Sequence, residues 1–576
     1  MSQSFAEQLV QHLEALGVRR VYGLVGDSLN PITDAISHSS IEWVHVHHEE
    51  AAAFAAGAES LLTGELAVCA GSCGPGNTHL LQGLYDSHRN RAKVLALASH
   101  IPTPNIGSEY HQETHPTKVF EDASAYCEMV HNPAQGAQAL HHAIQSTLLG
   151  NGVSVLVLPG DVSKLDAVKH SSLDGHYSDI APTVVPPKPQ VDALVKAINE
   201  ADSVAFFAGY GAVPAREELL ELAQKIKAPI GHALRGKMGL QPDNPFDVGM
   251  TGLLGYGACH EAIHEADLTI LVGTDFPYRD FLPEQVAQID VDGTRLGRRT
   301  STKYPVHGDA KVTLRQLIDA VEPKEDDSFL RKMLKVHEKK TEHVVNAYAR
   351  SDHNQVPLHP EFVAATLDKE ADPNAIVTVD TGMCTVWGAR YMNNPGDRQL
   401  LASFRHGTMA NALPQAIGAQ LAHPERQVVA MCGDGGLAML LGELITVRLH
   451  ELPLKMVVFN NSALGMVKLE MMVEGLPTFG TDNGSVNYAA IAEGVGIKSI
   501  RVTEPEQLRP ALQEAMQHDG PVLVDAVTNP DSLSVPPDIT AEMIAGFAKS
   551  SARTAIQGGF RELIDLAKSN IRNMPR

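Results

Sequence analysis

Asp434 stands among three glycines, Gly433, Gly435 and Gly436, between the apolar run Val428 to Met431 and an apolar helical pattern. A glycine turn that leads from a strand into a helix aims backbone N–H groups at an anion, so the stretch reads as a phosphate-binding turn. An aspartate in its middle contradicts that reading unless a cation is present. The next apolar strand ends in Asn460 and Asn461, and Asn461 follows Asp434 by 27 residues, the length of one strand–helix–strand crossover. In a parallel sheet both turns lie at the carboxyl ends of their strands, where ligands bind. A carboxylate and an amide oxygen are hard ligands suited to Mg²⁺, which takes few protein ligands and completes its shell with phosphate oxygens and water. Asp434 and Asn461 then hold the cation that neutralises a diphosphate, and the glycines expose the N–H groups.

A second group with chemical potential is HHEEAAAFAAGAES, residues 47–60. Two carboxylates, Glu49 and Glu50, open an alanine-rich helix. By itself this is an ordinary helix start, since acidic residues favour the first turn. The six cysteines (69, 73, 127, 259, 384 and 432) show no zinc-like spacing and read as buried free thiols, with Cys73 set in a glycine turn.

The elements that must position these residues are parallel α/β units. LAVCAGSCGPGNTHLLQGLYDSHRNRAKVLALAS (66–99) runs strand, glycine turn, helix, strand, and QVVAMCGDGGLAMLLGELITVRLHELPLKMVVFNN (427–461) does the same. This suggests two related α/β domains flanking a different middle one. Polar or proline-rich stretches at 178–190, 321–329 and 529–540 divide the chain. The expected fold is three doubly wound parallel-sheet domains over 1–180, 181–335 and 336–530, followed by a short tail, 531–576. A chain of 576 residues is long enough for several cores. Its formal charge of −22 argues against nucleic acid as a partner. No apolar run reaches the 18 or so residues of a membrane span. Phe5, Leu9, Leu13 and Leu16 space an amphipathic helix rather than a signal peptide, so a cytoplasmic location is expected.

With these motifs in view the chain resembles the thiamine diphosphate enzymes, in which GDGG followed by NN binds diphosphate and magnesium. VYGLVGDSLNPITDAI, GSCGPGNTHLLQGLYDSHRN, QETHP, GMTGLLGYG, GTDFPYRDF, SFRHGTMANALPQAIGAQ and FNNSALGMVKLEM are similar to the pyruvate oxidase group, most of all to its quinone-linked bacterial members. The resemblance covers nearly the whole chain. It implies thiamine diphosphate, Mg²⁺ and FAD, with pyruvate as substrate and a membrane quinone as electron acceptor. It also implies a homotetramer in which the first block of one chain meets the third block of another. The domains become pyrimidine-binding, FAD-binding and diphosphate-binding in turn.

The resemblance assigns roles by position. Glu49, not Glu50, contacts the aminopyrimidine ring and promotes the imino tautomer whose nitrogen takes the thiazolium C2 proton. Met409 is the large apolar residue that presses the two cofactor rings together, beside Thr408, and Gly407 offers a carbonyl to the 4′-amino group. Asp434, Asn461 and the backbone oxygen of Ala463 bind Mg²⁺, with Leu464, Gly465 and Met466 completing that cofactor loop. His79, Gln112, Val467 and Glu470 face the substrate. Loss of CO₂ from a 2-keto acid leaves a carbanion that no side chain stabilises, so the cofactor must supply the electron sink. Thr251, Gly252, Leu253 and Leu254 form one FAD segment. Thr274, Asp275, Phe276, Pro277 and Tyr278 form a second, and Asp290 marks a third. Gly209 and Gly211, in AGYGA, fall short of a dinucleotide fingerprint.

His111 departs from the pattern, standing where the group usually has an aromatic residue before QETHP. It adds polarity and titrates near neutrality, which bears on the pH profile and on flavin reduction. Acetohydroxyacid synthases share the cofactors and domain order but usually read HEQGA where this chain has HEEAA. An oxygen-dependent pyruvate oxidase and a non-catalytic flavoprotein are further alternatives, and the intact Glu49, GDGG and NN argue against the last. In the tail, Phe560, Leu563, Ile564, Ala567 and Ile571 share one helical face. Arg561, Lys568, Arg572 and Arg576 outnumber Glu562 and Asp565 there, a local reversal of sign. The resemblance makes this tail a lipid-binding segment that covers the active site at rest and takes the enzyme to the inner face of the membrane. By the same resemblance, Met466 stands where a residue swings inward on activation.

Overall fold

The computed structural model describes residues 2–169, 177, 182–343, 345–349, 355–532 and 549–550. Three parallel sheets organise the chain, each covered by helices on both faces. The first holds β1 (Arg20–Gly23), β2 (Glu42–His45), β3 (Ala67–Gly71), β4 (Val94–His100), β5 (Tyr126–Met129) and β6 (Ser154–Pro159), in the order β2-β1-β3-β4-β6-β5. The middle sheet uses β7 (Val204–Ala208), β8 (Ile230–His232), β11 (Leu268–Val272), β12 (Gln285–Asp290) and β13 (Ser301–His307), ordered β13-β12-β11-β7-β8. A two-stranded antiparallel pair, β9 (Gly249–Met250) and β10 (Tyr256–Gly257), sits beside it. The third holds β14 (Ile376–Val379), β15 (Gln399–Ala402), β16 (Val428–Gly433), β17 (Lys455–Asn460), β18 (Lys498–Val502) and β19 (Val522–Val527), ordered β15-β14-β16-β17-β19-β18. Counted from its own first strand, each outer sheet runs 2-1-3-4-6-5. The likeness of the 66–99 and 427–461 units therefore extends to whole domains.

Strands buried on both faces read as continuous apolar runs, and their side chains sort by parity. In β4, Leu95 and Leu97 join one core while Val94, Ala96 and Ala98 join the core on the opposite face. In β16, Val429 and Met431 face one core while Val428, Ala430 and Cys432 face the other. Six free cysteines are present and five of them are buried, as the spacing suggested.

Helix Glu49–Thr63 joins the second and third strands of the first sheet, and helix Ala412–Ala422 joins the second and third strands of the third sheet. These two equivalent helices cross against each other. A Cβ added at Gly418 would lie 2.1 Å from the carbonyl oxygen of Ala55. The alanine-rich sequence around Glu49 is thus what lets two backbones approach. The expected domain boundary at residue 335 falls inside helix Ser328–His343, whose Met333 is buried with Phe207, Val248 and Cys259 of the middle unit. The helix therefore extends the middle unit past 335. The tail helix expected from Phe560 onward lies outside the described residues.

Candidate active site

The diphosphate turn forms where the sequence put it. Strands β16 and β17 are neighbours, with Gly433 paired to Phe459, so the glycine turn and the two asparagines emerge side by side at the carboxyl edge. Asp434 begins a short helix, Asp434–Met439, and is buried. Only glycine fits at position 436, where a Cβ would fall 1.7 Å from Oδ2 of Asp380. Asp380 lies just past the end of β14, and its Oδ2 accepts from the Gly433 N–H at 3.3 Å. Tyr488 closes the floor by donating its hydroxyl to the Asp434 carbonyl at 2.9 Å.

A cavity of about 300 Å³ opens over this turn. Gly433, Asp434, Gly435 and Gly436 line it together with Asn461 and Ala463. The Asn461 Oδ1 accepts from the Ala463 N–H at 3.1 Å, and Ser462 between them takes a positive φ of 55°, which folds the loop back on itself. Leu464, Gly465 and Met466 continue the wall, and helix Gly465–Val473 adds Val467 and Glu470. Gly407 and Met409 form the opposite side. Met409 Cε reaches to within 3.1 Å of where a Gly435 Cβ would stand, so its side chain lies across the glycine turn. Thr408 is turned the other way, its hydroxyl accepting from Gln82 Nε2 at 2.7 Å.

Electrostatics suit a bound cation. Burial pushes Asp434 up to about 6, against hydrogen bonds from Gly435, Asn483 and Ser462. Burial likewise pushes Asp380 up to about 7. Among the described residues neither carboxylate forms an ion pair. An uncompensated buried carboxylate beside an amide oxygen and a glycine cradle is the donor set that Mg²⁺ and a diphosphate would complete.

Glu49, His79 and Gln112 form a separate group. Glu49 is the first residue of its helix, 3% exposed, and its Oε2 lies 2.9 Å from His79 Nδ1. The His48 ring stacks on His79 at 4.4 Å. Gln112 has a positive φ of 62° and its Oε1 accepts from Cys73 Sγ at 3.3 Å. His111 beside it is exposed. No residue before Pro360 lines the 300 Å³ cavity. Within one chain the carboxylate group therefore stands apart from the cavity over the glycine turn.

A larger cavity, about 510 Å³, lies between the three domains. Every residue expected at the FAD site lines it: Thr251 to Leu254, Thr274 to Tyr278, and Asp290. Gly209 and Gly211 line it too, without the spacing of a dinucleotide fingerprint. Composition and motif reasoning missed its cationic wall. Asp275 gathers Arg405, in direct contact, with Arg299 at 3.5 Å, Arg298 at 3.6 Å and Arg295 at 3.8 Å. The Arg235 guanidinium stacks 4.3 Å over Tyr210 and 5.7 Å from Phe404. The run Arg295-Leu296-Gly297-Arg298-Arg299 was the available signal in so acidic a chain. Burial pushes Asp290 up to about 6, a carboxyl able to meet ribose or ribityl hydroxyls. Anion-binding guanidiniums, aromatic rings and that carboxyl fit a flavin dinucleotide. Burial raises the Tyr278 phenol of the larger cavity, and the Glu470 charge of the smaller one adds to that.

A parallel-sheet trio with a magnesium–diphosphate turn and a buried glutamate half-site defines a thiamine diphosphate enzyme. Family models agree along the chain. The thiamine pyrophosphate enzyme N-terminal TPP binding domain matches residues 3–123, the central domain 191–317 and the C-terminal TPP binding domain 380–526. The chain belongs to this family. It is 36% identical to a putative thiamine pyrophosphate-containing protein, YdaP, of Bacillus subtilis, over 98% of both chains. It is 31% identical to a pyruvate oxidase of Lactiplantibacillus plantarum, over 91% of this chain and 88% of that one. It is also 31% identical to a probable acetolactate synthase large subunit of Methanocaldococcus jannaschii, over 91% of this chain and 92% of that one.

Proposed function

We propose that this enzyme decarboxylates pyruvate oxidatively, in the balance pyruvate + quinone + H₂O → acetate + CO₂ + quinol, with FAD passing the two electrons to a membrane quinone. The observation that carries the reading is a pair of cavities in one chain, one suited to a magnesium diphosphate and the other to a flavin dinucleotide. Thiamine diphosphate supplies the electron sink for loss of CO₂. The chain's residues do the rest. Asp434, Asn461 and Ala463 hold Mg²⁺, and Gly433, Gly435 and Gly436 take the diphosphate. Glu49, oriented by His79 at 2.9 Å, carries a proton at the pyrimidine ring. Val467, Glu470 and Gln112 surround the substrate. Met409 sets the ring geometry, with Gly407 beside it.

The half-sites of one chain are completed by those of another in a homotetramer. What supports this is that the small cavity has no lining residue before Pro360, so Glu49 of the same chain does not reach it. The basic tail face is proposed to bind anionic lipid at the inner face of the membrane and to cover the site at rest. A second reading, acetolactate synthesis, has support from relatives named for that activity. Give the purified protein pyruvate with a quinone analogue, then with oxygen and phosphate, then with neither, and identify the product. Acetate dependent on quinone supports the proposal, whereas acetyl phosphate or acetolactate replaces it. Deleting residues 554–576 should abolish sedimentation with anionic liposomes and leave quinone reduction high without lipid. A truncated protein that still binds liposomes, or still needs lipid, removes the tail from the mechanism.

A further inference from the structure

Two buried carboxylates lie outside both cavities and outside the roles assigned above. Asp86 is on helix Pro75–Asn90, which joins the third and fourth strands of the first sheet. Glu443 opens helix Glu443–Leu449, on the connection between the third and fourth strands of the third sheet. They occupy equivalent connections of the two like domains, and each reaches across to the other domain.

Asp86 Oδ1 accepts from Ser403 Oγ at 2.6 Å and from Asn90 Nδ2 at 3.2 Å, and Oδ2 accepts from Gln415 Nε2 at 3.1 Å. Ser403 Oγ in turn accepts from the Thr408 N–H at 3.0 Å. The Ser403–Thr408 turn is therefore tied off through a carboxylate of the first domain, and this turn carries Gly407 and leads into Met409 at the small cavity. Glu443 does the reverse. Its carboxylate accepts from the His47 N–H at 3.1 Å and from Thr446 Oγ1 at 2.6 Å, immediately before the helix that begins at Glu49. Both are almost wholly buried, and burial pushes each up to about 7. A carboxylate kept in so unfavourable a place, with Asp86 bonded across to Ser403 and Gln415 and Glu443 to the His47 N–H, has a positional purpose.

We propose that Asp86 and Glu443 are reciprocal positioning residues, each fixing the turn through which the other outer domain presents its half of a thiamine diphosphate site. The inference rests on the family-level reading of the cofactor. Asp86→Asn makes the sharpest test, because all three partners of the carboxylate are donors. Gln415 cannot turn its amide to compensate, since its Oε1 already accepts from Asn411 Nδ2 at 3.0 Å. An asparagine NH₂ then opposes a donor, and the turn loses a charge-assisted hydrogen bond.

The assay is titration of the full-length protein with thiamine diphosphate in Mg²⁺, followed by the fluorescence of Trp387, which lines the small cavity. Thermal melts run in parallel. Asp86→Asn and Ser403→Ala should each raise the dissociation constant about ten-fold or more, and the double variant should be no worse than Asp86→Asn alone. Ser403→Thr, which keeps the hydroxyl, should restore affinity. Glu443→Gln should weaken binding from the other side. If Asp86→Asn fails to fold, Ser403→Ala still decides the question. Lowered melting temperatures with unchanged cofactor affinity in Asp86→Asn and Ser403→Ala would overturn the proposal. Failure of the unaltered protein to bind thiamine diphosphate would overturn the cofactor reading instead.

Discussion

Gly418→Ala tests the crossing of the two central helices. Alanine is the better helix former by about 1 kcal/mol, so propensity alone predicts stabilisation. Sterics oppose it. The added Cβ would lie 2.1 Å from the Ala55 oxygen and 2.7 Å from both its carbonyl carbon and its Cα. All three atoms are backbone, so no rotamer change relieves the contact and the helices must separate by about 1 Å to reach an ordinary contact distance. Overpacking of this kind costs about 1–3 kcal/mol, and a backbone-on-backbone clash belongs at the upper end. The net is a loss of about 2 kcal/mol. For a domain of this size that lowers the melting temperature by about 4–8 °C. Glu49 lies six residues before Ala55, about 9 Å along the same helix, so the shift should also weaken cofactor binding. Circular dichroism melts with and without thiamine diphosphate measure both effects. Ala55→Gly should give no rescue, because the obstructing atoms are not its side chain. An equal or higher melting temperature in Gly418→Ala would show that the helices do not meet as described.

Glu49→Gln should keep the fold and bind the cofactors while losing most decarboxylation; full turnover there, with Glu50→Gln inactive, identifies the wrong carboxylate. Asp434→Ala or Asn461→Ala should weaken thiamine diphosphate binding through loss of Mg²⁺ and leave flavin binding intact, and cofactor titration of apo-protein with unchanged metal dependence would refute the ligand assignment. Lys237 is wholly buried, donates to the carbonyls of Ala389 (2.8 Å) and Met392 (2.6 Å), and is pushed by burial down to about 8. The unfolded chain then holds more protons than the folded one between about pH 8 and pH 10.5, so this group adds stability as pH rises through that window, on the order of 3 kcal/mol in all. Lys237→Met should remove that rise, and parallel melts from pH 7 to 10 that keep a constant difference between the two proteins would contradict it.

The diphosphate turn was legible because its chemistry is local. Asp434 among glycines, with Asn461 one crossover away, puts a carboxylate and an amide at one edge as soon as the sheet is parallel. The segments that resemblance set aside for FAD line one cavity together, yet sequence reasoning could not find Arg91, Arg235 or Arg405. These arginines line the large cavity, and Arg405 meets Asp275 across 130 residues. Thr408 was grouped with its neighbours by position, but a residue between two cavity-lining ones can point backward, as its bond to Gln82 does. Asp86 and Glu443 gave no signal at all. Each looks like a helix-surface acid until the partner domain covers it. Charged residues at 321–329 suggested a linker, whereas Met333 anchors the following helix to the middle core, so the boundary expected at 335 falls within a helix.

The shared 2-1-3-4-6-5 order of the outer sheets has a consequence for how the chain uses its loops. A repeated architecture provides every ligand-bearing loop twice. After the third strand of each sheet comes a glycine turn, and only the later copy, Gly433–Gly436, carries an acid. Its earlier counterpart, Ser72–Gly76, keeps the glycines but holds a cysteine in place of an acid, with Gln112 packed on it. That turn has been put to another use: Gln112 packs on Cys73 and Gly74, and a Cβ at Gly76 would stand 2.9 Å from Glu49 Oε1, so the duplicate backs the carboxylate group instead of holding an acid of its own.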